Sequence, residues 1–274
     1  LAVKFLRVPD TVSMCSFNNK RKVIRALRHA VRWDRSQFSV VYQPKINLTS
    51  KNLVGMEALL RWNNDKVGRI GPAEFIPIAE THKLIDDLLE IVLSLVCTQI
   101  NIWKTQLQKD IRVSVNISPV QLNRINLIKE VKDTLDKHLI PYENVEIEVT
   151  EGTYLTPVAI DTIKKFSDEG FPISLDDFGK DYASFNRFLA LPLNFLKIDK
   201  DFLKQCMEEE KGRRFINDII KTCHKRNIQV IAEGIETQAQ LNELIQSKCD
   251  IGQGYLFDKP MANPNLEKWY LTTI

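Results

Sequence analysis

A chain of 274 residues, 44% hydrophobic and 27% charged, is long enough for one large globular domain with a sizeable core. Lysine and arginine outnumber the acidic residues by only 38 to 35, and a net charge of +3 gives no case for a binder of nucleic-acid polymers. The five cysteines (Cys15, Cys97, Cys206, Cys223, Cys249) are scattered and form no CxxC pair, so they exclude a disulfide frame or a zinc site and point to a reducing, cytoplasmic compartment.

Residues 1–35 read as an N-terminal lead-in ending in a basic amphipathic helix. In Lys20–Trp33, Val23, Ala26, Leu27, Ala30 and Val31 recur at helical spacing, with Arg21, Lys22, Arg25, Arg28 and Arg32 opposite them. A solvated basic face is the favoured reading. A signalling helix from an upstream domain and a contact with anionic membrane are the alternatives. The chain opens at Leu1 rather than Met, as a piece of a longer protein would. The sequence carries neither a signal peptide nor a membrane span, because its longest apolar stretch, around Leu84–Val96, is broken by Asp86, Asp87 and Glu90.

From residue 36 to 272 strand-like and helix-like segments alternate. The strand-like runs are FSVVYQP, LVGMEALL, IRVSVNIS, VEIEVT, FPISLD, LNFLKID, IQVIAE and a weaker IGQGYLF. Helical patterns cover Leu84–Leu107, Val120–Lys137, Pro157–Asp168, Tyr182–Leu191, Asp201–Arg226 and Thr237–Gln246. About eight such units imply an α/β fold, a modified (β/α)8 TIM-like barrel. The first two strands are joined by the short NLTSKN turn with no helix between, so one strand runs antiparallel.

Polar residues gather at the C-terminal ends of those strands: Glu57, Asn116, Glu148, Asp176 and Asp177, Lys197, Glu233 and Gln253. In IRVSVN and VEIEVT the alternation puts Asn116 and Glu148 on the face away from the helices, toward the barrel mouth. With Glu151 and Glu236, seven carboxylates surround one mouth and Lys197 is the counterweight. Like charges so placed repel, and a bound cation explains why they gather. All-oxygen donors suit Mg2+ or Mn2+ rather than zinc, and the adjacent Asp176 and Asp177 can serve two ions, the arrangement that clamps a phosphoryl transfer. Singly, each residue has a duller reading: Lys197 could pair with Asp199, and Glu151 could be a loop cap.

At this point the residues resemble a known family. Glu57-Ala58-Leu59 followed by Leu60-Arg61-Trp62 is similar to the signature of EAL domains, phosphodiesterases of the bacterial second messenger cyclic di-GMP. The likeness runs through YQPK (Tyr42–Lys45), GPAEFIPIAE (Gly71–Glu80), VNIS (Val115–Ser118), EVTE (Glu148–Glu151), DDFG (Asp176–Gly179), LKID (Leu196–Asp199), AEGIE (Ala232–Glu236) and QGYLF (Gln253–Phe257). The resemblance implies Mg2+- or Mn2+-dependent cleavage of cyclic di-GMP to linear pGpG, with two metals per site. It implies that Glu57, Asn116, Glu148 and Asp176 bind one metal, and that Asp176 and Asp177 hold the second. Lys197, Glu233 and Glu57 are the catalytic set it implies, Lys197 orienting or deprotonating the attacking water. Gln43, Arg61, Glu236 and Gln253 would contact the dinucleotide, and Glu151 would anchor the loop after Asp177. A homodimer and an upstream sensory domain or partner protein belong to the same implication.

The departures fall in that loop. Active members usually follow DFG with a small residue, Gly, an aromatic and two serines, whereas this chain reads Lys180, Asp181, Tyr182, Ala183, Ser184. Lys83 also stands where family members often have Gly. The runner-up reading is therefore a catalytically weak or inactive EAL domain that acts as a cyclic di-GMP receptor or an interaction module.

Overall fold

The computed structural model describes residues 11–150, 155–180 and 185–262. The chain divides into two compact units, one of Leu1–Ser39 with Arg61–Leu88 and one of Val40–Leu60 with Leu89–Ile274. No helix among the described residues is long and apolar enough to cross a membrane.

In the first unit, α1 (Thr11–Trp33) buries Val23, Leu27, Ala30 and Val31 and leaves Lys22, Arg25 and Arg28 exposed, the split its spacing predicts. A short strand β3 (Gly68–Ile70) pairs antiparallel with the end of β2 (Leu53–Asn64), at Trp62, Asn63 and Asn64. The turn between them is held by Oδ1 of Asn64, which accepts the N–H groups of Lys66 and Val67. The Trp62 ring stacks on Phe38 and meets Phe75 edge-on, and its indole N–H donates to Oε1 of Gln37. Phe75 lies in α2 (Pro72–Thr81), a helix not read from the sequence, where Pro72 and Pro77 obscure the pattern. Pro72 is tolerated because it occupies the first turn, where its missing N–H has no intrahelical partner.

The second unit is the barrel. Strands β1 (Phe38–Asn47), β4 (Val113–Asn116), β5 (Val145–Thr150), β6 (Ile173–Phe178), β7 (Phe195–Ile198), β8 (Gln229–Ala232) and β9 (Ile251–Gly252) join β2 in the order β1-β9-β8-β7-β6-β5-β4-β2. A pairing between β1 and β2 closes the ring, and β3 lies outside it. β1 runs antiparallel to β9, while the pairs β2–β4, β4–β5, β5–β6, β6–β7, β7–β8 and β8–β9 are parallel. The antiparallel strand follows from the Asn47–Asn52 turn, where Oδ1 of Asn47 accepts the N–H groups of Thr49 and Ser50. No helix could fit into so short a connection.

Helices α3 (Ile85–Leu107), α4 (Leu127–Lys137), α5 (Pro157–Asp168), α6 (Phe185–Ala190), α7 (Lys200–Glu208), α8 (Glu210–His224) and α9 (Gln238–Gln246) complete the described elements. Two helical readings need correction. Val120–Lys137 is a 3-10 turn at Gln121–Asn123 followed by α4, because Gln121 and Asn123 side chains bond locally to the N–H of Ser118 and the carbonyl of Pro119. Asp201–Arg226 is two helices, broken at the extended Glu209. There a Cβ on Gly212 would lie 2.1 Å from the carbonyl oxygen of Cys206, so the two helices meet closely enough to require glycine.

Outward-facing Val113, Val115, Ile147, Val149, Leu175, Leu196, Ile198 and Val230 form the buried layer between strands and helices. Inside the barrel, one step below the mouth, the filling divides. Phe195, Ile231 and Ile251 cluster under β7–β9, while Ser114, Glu146 and Ser174 occupy the equivalent places on β4–β6.

Candidate active site

Each polar strand end reaches the mouth by the two-residue alternation of its strand. Asn116 and Glu148 are directly paired neighbours on β4 and β5, Thr150 pairs with Asp176 on β6, and Lys197 pairs with Ile231 on β8. Parallel strands place their C-terminal ends at one face, so residues distant in sequence converge.

At the centre is Lys197. Its buried ammonium lies 2.8 Å from Oε1 of Glu233, 3.0 Å from Oδ1 of Asp176, 3.2 Å from Oε2 of Glu148 and 3.5 Å from Oε2 of Glu57. The duller alternative, an ion pair of Lys197 with Asp199, does not form. Asp199 instead caps α7, its Oδ1 accepting the N–H groups of Asp201 and Phe202 at 2.9 and 3.0 Å. The end of the strand decides this: alternation alone would put Lys197 and Asp199 on one face, but β7 stops at Ile198 and Asp199 already caps the helix.

A second tier surrounds the centre. Nδ2 of Asn116 donates to Oε1 of Glu57 at 3.3 Å and to Oε2 of Glu148 at 3.2 Å. Nε2 of Gln253 donates to Oε2 of Glu57 at 2.6 Å and to Oε1 of Gln43 at 3.1 Å, and Gln43 donates to the carbonyl of Asp258. The buried Oε1 of Gln253 has no hydrogen-bond partner.

Asp177 sits at a register shift between β6 and β7 and takes a φ of +59°, in the left-handed region. That conformation costs a non-glycine residue on the order of 1 kcal/mol, and such strain collects at functional sites. Its N–H donates to Oδ1 of Asp176, and Nζ of Lys180 stands 3.5 Å from both of its carboxylate oxygens. Glu236 is exposed at the turn into α9, and no ion pair ties it to Lys197 among the described residues. Arg61 is half-buried in the first unit. Glu151 and the loop residues Asp181, Tyr182, Ala183 and Ser184 lie outside the described residues.

Two members of the network were not singled out from the sequence. Lys45 is buried, with its ammonium 2.9 Å from Oε1 of Glu146 and 2.8 Å from Oε1 of Glu148. The signal was present in the alternation: Lys45 follows Gln43 by two residues, and Glu146 precedes Glu148 by two.

Among the described residues, the network sets Glu57, Glu146, Glu148, Asp176 and Glu233 against Lys45 and Lys197. Protons must make up part of the difference. Burial pushes the Glu233 carboxyl up to about 8 against the pull of Lys197, with Asp176 and Glu57 adding repulsion. Burial likewise raises Glu57, reinforced by Glu148 and Asp176. Burial also opposes ionisation of Glu148, but Lys197 and Lys45 together bring its carboxyl down to about 2. Asp177 is raised by burial and by Asp176 beside it.

One oxygen each from Glu57, Glu148 and Asp176 lies within 4.8 Å of the others, so this buried triad could hold a metal ion. The donors fit: all are oxygens, in a site with excess negative charge, which suits a hard divalent cation.

The model of the family described as EAL domain matches residues 24–260. Among similar proteins is the bifunctional diguanylate cyclase/cyclic di-GMP phosphodiesterase MucR of Pseudomonas aeruginosa, 32% identical over 247 residues, covering 89% of this chain and 36% of MucR. The chain spans about a third of the length of the curated relatives it matches. The solved structure of the PaMucR phosphodiesterase in complex with c-di-GMP superposes with a TM-score of 0.82 at 32% identity, covering 89% of this chain and 99% of that one. The EAL enzyme Bd1971, in its cAMP- and cyclic-di-GMP-bound form, gives a TM-score of 0.85 at 28% identity, covering 95% and 70% of the two chains.

Proposed function

We propose that this chain, which belongs to the EAL domain family, hydrolyses one phosphodiester bond of cyclic di-GMP to give linear pGpG. The observation that supports this most is the convergence of Glu57, Glu148 and Asp176 around the buried Lys197. Similar proteins and structures named as phosphodiesterases or as c-di-GMP complexes supply the substrate class.

Glu57, Asn116, Glu148 and Asp176 would hold one cation and Asp176 with Asp177 a second, Mg2+ or Mn2+ in each case. Bound there, the cations supply charge neutralisation for the phosphoryl group and an acidified water. Lys197, kept as an ammonium by the carboxylates around it, would orient the attacking water by donating a hydrogen bond to its oxygen. Glu233, 2.8 Å from that ammonium, positions the same water by hydrogen bonding. Gln253 and Gln43 form a linked pair of amides beside Glu57 that would contact the dinucleotide, with Arg61 and Glu236 as further contacts. Glu151 would anchor the loop that follows Asp177. By family likeness the working form is a cytoplasmic homodimer driven by an upstream sensory domain.

One observation favours the receptor reading. Lys180 places an ammonium 3.5 Å from both oxygens of Asp177, where it competes with a cation. Incubating the purified chain with cyclic di-GMP and Mn2+ or Mg2+, and following pGpG by chromatography, separates the two. Product that disappears with EDTA and in Glu57→Ala supports the enzyme. Binding by calorimetry without product makes the chain a receptor.

A further inference from the structure

We propose that Lys45 is a positioning residue that fixes Glu148 as a one-oxygen ligand for the cation at the barrel mouth. This inference rests on the cation reading given above.

The geometry divides the two oxygens of Glu148. Oε1 faces down the barrel and accepts from Nζ of Lys45 at 2.8 Å, while Oε2 accepts from Asn116 at 3.2 Å and Lys197 at 3.2 Å. Oε1 is held by Lys45, whereas Oε2 shares the Lys197 ammonium with Glu57 and Asp176, so Oε2 is the oxygen presented to that group. Lys45 can do this because β1 lies across the ring from β5, three strands away in one direction and five in the other. A long unbranched stem must cross the interior to bring its charge to Glu148, and lysine supplies one.

Glu146 explains why the ammonium stays in place. It stands two residues before Glu148, on the same inward face of β5, and its Oε1 accepts from Lys45 at 2.9 Å. Without that ammonium, two buried carboxylates would face each other in the interior. Lys45 and Glu146 are each 2% exposed, too deep for either to reach a substrate at the mouth. The effect of Lys45 on the reaction must therefore pass through Glu148, while Glu146 touches only Lys45, and a glutamine oxygen in its place can still accept from that ammonium. Groups that orient metal ligands in this way typically contribute about 10–100-fold to metal affinity.

The test uses the full chain and Mn2+ alone, with free Mn2+ followed by electron paramagnetic resonance and folding by circular dichroism. Lys45→Met by itself strands Glu146, so the Lys45→Met/Glu146→Gln double variant is the decisive protein, with Glu146→Gln and Lys45→Arg beside it. Expected are a folded double variant that binds Mn2+ at least about tenfold more weakly than wild type, a Glu146→Gln protein close to wild type, and partial recovery in Lys45→Arg. A folded double variant with wild-type affinity overturns the proposal and leaves the cation reading intact. An unfolded double variant also overturns it, assigning Lys45 to the fold alone. A wild-type chain that does not bind Mn2+ removes the cation reading, and this inference with it.

Discussion

The Lys197 ammonium lies 2.8 Å from Oε1 of Glu233, yet burial and the neighbouring Asp176 and Glu57 push the Glu233 carboxyl up to about 8. The folded, cation-free protein therefore keeps a proton on Glu233 that the unfolded chain releases near its ordinary value of 4.5. This contribution to stability is complete below that value and is lost as the pH rises through 8. In EDTA, the melting temperature should fall as the pH rises from 4.5 to about 8, and Glu233→Gln should flatten the fall. A variant that keeps the wild-type slope would place the titrating group elsewhere.

Removing the central cation should be costly in a way that metal can repair. Lys197→Met leaves Glu57, Glu148, Asp176 and Glu233 without their shared partner, and breaking a buried ion pair from one side costs about 3–5 kcal/mol. Denaturant melts should show that loss. Added Mn2+ should recover more stability in the variant than it adds to wild type, because it enters a more negative site. Turnover should remain absent even so, since no ammonium is left to orient water. An equal Mn2+ response in both proteins would argue against a cation at this cluster.

Asp199 makes a contrasting prediction. It caps α7 and has no bond to Lys197, so Asp199→Ala should cost about 1 kcal/mol in a denaturant melt. Mn2+ affinity should stay as in wild type. A clear loss of metal binding would mean that Asp199 supports the site after all.

Lys83 adopts a φ of +56° after α2, with the N–H of Leu84 returning to the carbonyl of Ala79. This is the helix-terminating position where glycine has no steric penalty. Lys83→Gly should therefore raise stability by up to about 1 kcal/mol, read as a higher denaturant midpoint at unchanged slope. A lowered midpoint would show that the lysine side chain contributes more than its backbone strain costs.

Much of this protein was legible in one dimension. Period-two alternation in VEIEVT and IRVSVN set Glu148 and Asn116 on the inner face, and the short turn after Asn47 required an antiparallel strand. These properties depend on neighbours within a few residues, so local sequence determines them. The breaks at Glu209 and before Leu127 were not legible, because a close helix contact at Gly212 and local side-chain bonds at Gln121 and Asn123 overrode the helical pattern. The partner of Lys197 was decided only by the closed barrel: Asp199, two residues away, turned into a helix cap, and Glu57, from 140 positions earlier, came within 3.5 Å. Lys45 belongs with that second class. Alternation shows which face of β1 it occupies, but its partner is fixed only once the ring of strands brings β1 opposite β5.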